Sequence, residues 1–164
     1  MYNITSSLWT WISGNNTVNA NGFYGTKGVP SVNNYPSGGA TLGFDPVQNC
    51  IYLHNTGGTL SSTSFMSTSN WFLIGTLNDL WMYNISSTEW TWVSSGDALD
   101  VYTVYGTKGI PSANSYPGSR WMPSIVYVHT INCIYVFGGH GYARTTTNGV
   151  LLSHADHSYM CART

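Results

Sequence analysis

The chain has 164 residues, 42% hydrophobic and 15% aromatic, which is enough for one modest globular core and argues against a disordered chain. Only 7% of residues are charged and the formal net charge is -1, so the electrostatic footprint expected of a nucleic-acid or anionic-membrane binder is missing. Apolar runs such as Ile125-Val126-Tyr127-Val128 fall far short of the roughly 20 residues of a membrane-crossing helix, and the first residues lack a signal-like pattern, leaving the compartment unmarked.

In chain order, Met1-Tyr2-Asn3-Ile4 and Trp9-Thr10-Trp11-Ile12 read as strands, followed by a connection containing Tyr24-Gly25-Thr26-Lys27-Gly28-Val29-Pro30. Four short apolar stretches come next, at 40–44, 49–53, 79–83 and 89–93, each β-branched or aromatic and bounded by Gly, Asn, Ser or Pro. A second long connection repeats the loop phrase as Tyr105-Gly106-Thr107-Lys108-Gly109-Ile110-Pro111 before a last strand pair ending in Gly138-Gly139. No stretch carries a helical stripe, so the fold class is all-β.

A shift of 81 (Met82 minus Met1, and Tyr105 minus Tyr24) aligns residues 1–36 with 82–117 without a gap and with 19 identities. Downstream, Asn-Cys-Ile-Tyr recurs with a shift of 83 (Asn132 minus Asn49), so the register slips by two where a strand meets its turn. A long fixed period with four strands predicts sheets packed side by side as repeating units. Cys50 and Cys133 occupy the same place in successive units and read as small, unbridged core residues, because equivalent positions in neighbouring sheets lie too far apart for a disulfide. Cys161 is unplaced.

On these residues the chain resembles kelch-repeat β-propellers: a glycine pair (Gly57-Gly58), then Tyr83 and Trp90 separated by six residues, with Tyr2 and Trp9 in the first copy and Gly138-Gly139 in the last. The resemblance covers about residues 1–152 and implies four-stranded antiparallel blades. Residues 1–39 would hold the end of one blade and a long loop, 40–94 one full blade, 95–152 a second loop and the start of another blade, and 153–164 an irregular tail. In that tail His157 falls near the slot of the repeat tyrosine. The glycine pair at 57–58 departs from the pattern, since Asn55-Thr56 stand where strand alignment puts glycines. A ring needs about four to eight blades, so the remaining blades are expected from a longer polypeptide, or from copies that assemble.

The two loops are connections of about 26 residues, long enough to be either functional or self-packed. Their tyrosines, glycines and prolines suit a compact flap that repeats because its packing partner repeats. The functional alternative is a periodic ligand surface made by Tyr24, Lys27, Tyr35, Tyr105, Lys108 and Tyr116.

Catalytic patterns are scarce. The acids Asp45, Asp79, Glu89, Asp97, Asp100 and Asp156 form no evident pair, and Asp79 reads as a bond acceptor for backbone amides at a strand entrance. His154, His157 and Cys161 make a weak metal-like string in the tail, while His54 and His140 read as satisfied or solvent-facing imidazoles. No G-x-S-x-G, P-loop or H-E-x-x-H occurs, and no stretch matches the ligands of the copper radical oxidases in the resembled superfamily, so no catalytic residue, metal or cofactor is assigned. The reading is a non-enzymatic scaffold that binds another protein through its blade-connecting loops. The alternative is a piece of a secreted or cell-surface propeller enzyme or lectin acting on carbohydrate, suited by the sequons at Asn3, Asn15 and Asn84 and the abundant Tyr and Trp.

Overall fold

Short runs of β-branched and aromatic residues, punctuated by Asn, Ser and Gly, favour strands joined by tight turns. The computed structural model describes residues 1–17, 20–57 and 75–142, with the strand backbone of 153–155 and 159–163. Its strands are β1 (Tyr2–Asn3), β2 (Leu8–Trp9), β3 (Ala40–Asp45), β4 (Cys50–Asn55), β5 (Leu80–Asn84), β6 (Glu89–Ser94), β7 (Arg120–Trp121), β8 (Ser124–Val128), β9 (Cys133–Phe137), β10 (His140–Tyr142), β11 (Ser153–Ala155) and β12 (Tyr159–Arg163). Among the described residues there is no α-helix, and the protein is all-β.

Strands β3 to β6 form one antiparallel four-stranded sheet in chain order. The four stretches read from the sequence therefore stand together, their ends shifted by one or two residues. The β5–β6 hairpin closes because the Asn84 Oδ1 accepts the amides of Ser86 and Ser87 at 2.9 and 3.0 Å while Thr88 turns the chain at φ 60°. Its first-copy counterpart, β1–β2, does the same with Asn3, Thr5, Ser6 and Ser7. An Asx-type turn thus explains why Asn-Ile-Ser/Thr is written twice.

The third unit keeps the same strand order but is broken in two, as β8-β9-β12 and β7-β10-β11. The break falls at Met122-Pro123 on one strand and Gly138-Gly139 on its neighbour, where Met122 and both glycines have positive φ. Gly139 approaches so closely that a Cβ there would meet the Trp121 carbonyl at 2.7 Å, and Pro123 has no amide for the ladder. At the corresponding place in the full sheet, Asn55 continues β4 and pairs with Ala40. Gly57 has no positive φ, and a Cβ there would lie 2.7 Å from the Gly38 carbonyl. Gly58 lies outside the described residues.

The expected irregular tail is instead strand at 153–155 and 159–163: β11 pairs with β10, and β12 pairs along the whole of β9, from Tyr159↔Phe137 to Arg163↔Cys133. Ala162 stands opposite Ile134 as Tyr83 stands opposite Ile51, so the tyrosine slot belongs to Ala162 and not to His157, which lies outside the described residues. Backbone pairing holds this strand although its sequence has left the repeat.

Where the two units meet, Tyr52 and Leu80 pack against Ile134 and Val136, bordered by Met82, Val93, Ile125 and Tyr127. β8 packs against β3 beside Gly43, where even a Cβ would make only ordinary contact with Tyr127. Each fully buried aliphatic or aromatic side chain of this kind stabilises by about 1.5–3 kcal/mol. The other side of the four-stranded sheet is covered at Leu53 and Trp81 but open at β3, where Leu42 and Phe44, opposite Leu53 and Ile51, are exposed. Val126, on the side of β8 away from Ile125 and Tyr127, is exposed as well.

Cys50 and Cys133 do open equivalent strands, β4 and β9. Cys50 is a buried free thiol, whereas Cys133 is disulfide-bonded. The expectation of two unbridged core cysteines therefore holds for Cys50 and fails for Cys133.

Candidate functional site

The first loop phrase lies along the free edge of β6. Gly28 N donates to the Trp92 carbonyl at 2.8 Å and Ser31 N to the Trp90 carbonyl at 3.1 Å, giving the edge strand a row of partners. An uncovered edge would leave those carbonyls as a template for other chains. Asn34, buried, ties the arrangement together by donating its amide to the carbonyls of Val29 and Trp90, both at 3.1 Å. The turn needs Gly25 and Gly28 at φ 59° and 78°.

Tyr24 packs its ring against Trp81, with centroids 5.0 Å apart, and edge-on to Trp92 at 5.2 Å. Its hydroxyl donates to the Asp79 Oδ2 at 2.8 Å. Burial, then the adjacent Asp79 charge, pushes the Tyr24 phenol well above its usual range. Asp79 is itself buried and accepts from the Trp81 indole and, at 3.3 Å, from the Asn55 amide. Burial raises its carboxyl pKa, with the bonds from Trp81, Tyr24 and Asn55 pulling the other way. Asp79 thus serves aromatic side chains of the loop and sheet, where backbone amides were expected.

Lys27 reaches back over the same edge, donating to the Ser95 carbonyl at 3.3 Å with its ammonium 5.2 Å from the Trp92 ring centre. Tyr35 pairs with Phe23 through backbone bonds of 2.8 and 3.0 Å, the two rings stacked 6.4 Å apart. The structure therefore gathers Tyr24 and Lys27 of the candidate surface onto β6, close to Tyr83 and Trp90, which contact each other at 4.9 Å.

The second loop has the same internal skeleton. Gly106 and Gly109 repeat the φ values at 63° and 80°, Ile110 N bonds to the Thr107 carbonyl as Val29 N does to Thr26, and Tyr116 pairs with Val104. Tyr105, Lys108, Gly109 and Ser112 are nevertheless exposed, and the residue matching Asn34 is Ser115. Of the six candidate residues, Tyr24 and Lys27 contact β5 and β6, Tyr35 and Tyr116 are half-buried in backbone pairs with Phe23 and Val104, and Lys27, Tyr105 and Lys108 are exposed.

Sequence reasoning missed Asn34, Ser31 and Ser13, whose hydroxyl accepts the Trp90 indole at 3.2 Å. The difference between Asn34 and Ser115 inside an otherwise repeated phrase was the available signal. It also misjudged His54, which is 1% exposed and whose ring nitrogens have no hydrogen-bond partner among the described residues. Burial, then the nearby Arg120 charge, lowers its pKa to about 3, so the ring is neutral at ordinary pH. Arg120, equally buried, donates to the carbonyls of Gly118 and Gly138 at 3.1 and 3.0 Å. Among the described residues no group of three His, Cys, Asp or Glu side chains could hold a metal ion. No family model, curated protein or solved structure matches the chain.

Proposed function

We propose that the chain is part of a kelch-type β-propeller that works as a non-enzymatic scaffold, binding another protein through its blade-connecting loops. The observation that carries this reading is the first loop itself. Its inner side is spent on β6 through Tyr24, Lys27, Gly28 and Asn34, while Phe23, Val29 and Val32 stand exposed on its outer side. Apolar side chains on a loop held by a rigid strand make a surface that a protein partner can cover without first ordering it. The open flanks at Leu42, Phe44 and Val126 suit further blades on either side.

A photo-crosslinking residue at Val32 tests the reading. Crosslinking to a defined partner that Phe23→Ser abolishes, with the thermal midpoint unchanged, is the expected result. A partner captured equally by the Phe23→Ser variant would remove the loop from the binding surface.

The disulfide at Cys133 favours a second reading, a carbohydrate-binding piece of a secreted propeller, because such bonds persist in oxidising compartments. Saturable binding of an oligosaccharide, unaffected by Phe23→Ser, would select it over the first.

A further inference from the structure

The β1–β2 and β5–β6 hairpins turn on Asn3 and Asn84, and each turn uses only part of what its residues offer. The Asn3 Oδ1 accepts the amides of Thr5 and Ser6, and the Asn84 Oδ1 those of Ser86 and Ser87, at 2.9 and 3.0 Å in both copies. An aspartate could accept the same amides, because an Asx turn needs the oxygen alone. The Nδ2 groups of Asn3 and Asn84 donate to nothing among the described residues. Thr5 and Ser86 give the turn only their backbone amides, and the Ser86 hydroxyl accepts from Asn49, outside the turn, at 3.1 Å. Both copies nevertheless keep the asparagine and a hydroxyl two residues on, as Asn-Ile-Thr and Asn-Ile-Ser. What the turn leaves unused is the acceptor pattern for an N-linked glycan.

Position, compartment and composition agree with that use. Asn3, Ile4, Thr5 and Ser6 are exposed, and half-buried Asn84 is followed by exposed Ile85, Ser86 and Ser87, so a glycan at either tip has solvent beside it. The disulfide at Cys133 belongs to an oxidising compartment. Only 7% of residues are charged, against about 25% in an average soluble domain, and glycans supply the surface hydration that charge does not.

We propose that Asn3 and Asn84 carry N-linked oligosaccharides, displayed on the same hairpin of successive repeats. The donor is an oligosaccharide held on a lipid pyrophosphate through an N-acetylhexosamine. One Nδ2–H bond breaks as nitrogen bonds the anomeric carbon; the anomeric C–O bond breaks, its electron pair leaves with the lipid pyrophosphate, and the amide proton passes to a base of the transferase. Oδ1 is untouched, so the turn keeps both of its amides. The third sequon is left out of the assignment, because the Asn15 Nδ2 donates to the Tyr35 hydroxyl at 3.2 Å. The inference shares its oxidising compartment with the carbohydrate-binding reading and requires no sugar-binding site.

Purification of the full chain from the cells that make it, followed by enzymatic release of N-glycans in water enriched in heavy oxygen, tests the assignment. Release turns each glycosylated asparagine into an aspartate bearing one heavy oxygen, which peptide mass spectrometry locates. Label at Asn3 and Asn84 is the expected result. In the same cells Thr5→Ala should abolish the label at Asn3 alone, and Asn84→Asp, which keeps the acceptor oxygen of the turn, should lower the intact mass by one glycan. After glycan release both variants should melt like the parent. Bare Asn3 and Asn84 in a chain whose Cys133 is disulfide-bonded overturn the glycan assignment and leave the secreted reading standing. Bare asparagines with Cys133 as a free thiol overturn both. Label at one asparagine only overturns the assignment at the other, and label at Asn3 that survives Thr5→Ala overturns its attachment through the sequon.

Discussion

The two copies of the loop phrase share sequence and backbone, yet among the described residues only the first is seen seated on a strand edge. In the first, Tyr24 reaches Asp79, Trp81 and Trp92; in the second, Tyr105 is 39% exposed. The comparison separates what the phrase does for itself from what it does for a strand. Its glycines, its internal turn bonds and its Phe23/Tyr35 or Val104/Tyr116 pairing form without the strand. In the first copy the tyrosine reaches Asp79, and the lysine and the two outward amides act on a Trp-Thr-Trp edge. A loop of this kind is folded locally and docked by tertiary contact, so its stability contribution depends on the neighbour.

Substitutions at equivalent positions should break that comparison most sharply at the tyrosines. Tyr24→Ala is expected to cost about 3–5 kcal/mol, because it empties an aromatic site and strips a bond from buried Asp79. Tyr105→Ala should cost no more than about half as much in the monomer. Equal losses in denaturant titrations would mean that both loops are docked alike. Next in size come the tryptophans. Trp90→Ala should destabilise by about 2–3 kcal/mol, below the range for a wholly buried aromatic, and Trp9→Ala by no more than about 0.5 kcal/mol. Trp81, with 0% exposure, is buried more deeply than Trp90.

His54 and Phe137 stand at matching places in β4 and β9, and this pair makes pH the discriminating variable. An imidazole with a folded pKa near 3 against an ordinary value of 6.5 contributes stability that is full above 6.5 and lost as pH falls toward 3. The loss has a limiting slope of about 1.4 kcal/mol per pH unit. His54→Phe should remove that part of the acid sensitivity. The check is the difference between parent and variant melting curves across pH 7 to 4, and parallel curves would contradict the assignment. Raised Asp79 works in the opposite sense, its protonation favouring the fold at low pH, so the subtraction is required. A further comparison is Asn34→Ser, which gives the first loop the residue of the second. It should cost about 1–2 kcal/mol through the lost bonds to Val29 and Trp90, and Ser115→Asn should leave the monomer's denaturation midpoint unchanged.

Much of this was legible in the residues. Alternation in Glu89-Trp90-Thr91-Trp92-Val93, the Asn-led hairpins and the 81-residue shift placed the four-stranded sheet and its repetition, because strand and turn chemistry is local. The β12 strand was not legible, since Tyr159-Met160-Cys161-Ala162-Arg163 is held by pairing with β9 and carries none of the repeat residues. At the loops, the packing residues Tyr24 and Lys27 could be named, but not the strand they seat on, because a contact 50 to 70 residues away in sequence leaves no periodic mark. Buried His54 escaped for a related reason: its isolation depends on which segments close over it.

Hydrogen exchange at four amides tests the central claim most directly, measured on the dilute monomer. Gly28 and Ser31, bonded to the carbonyls of Trp92 and Trp90, should be protected together, while Gly109 and Ser112 exchange as fast as exposed loop amides. Equal rates at the two pairs, whether both fast or both slow, would contradict a loop that is clamped in one copy and presented in the other.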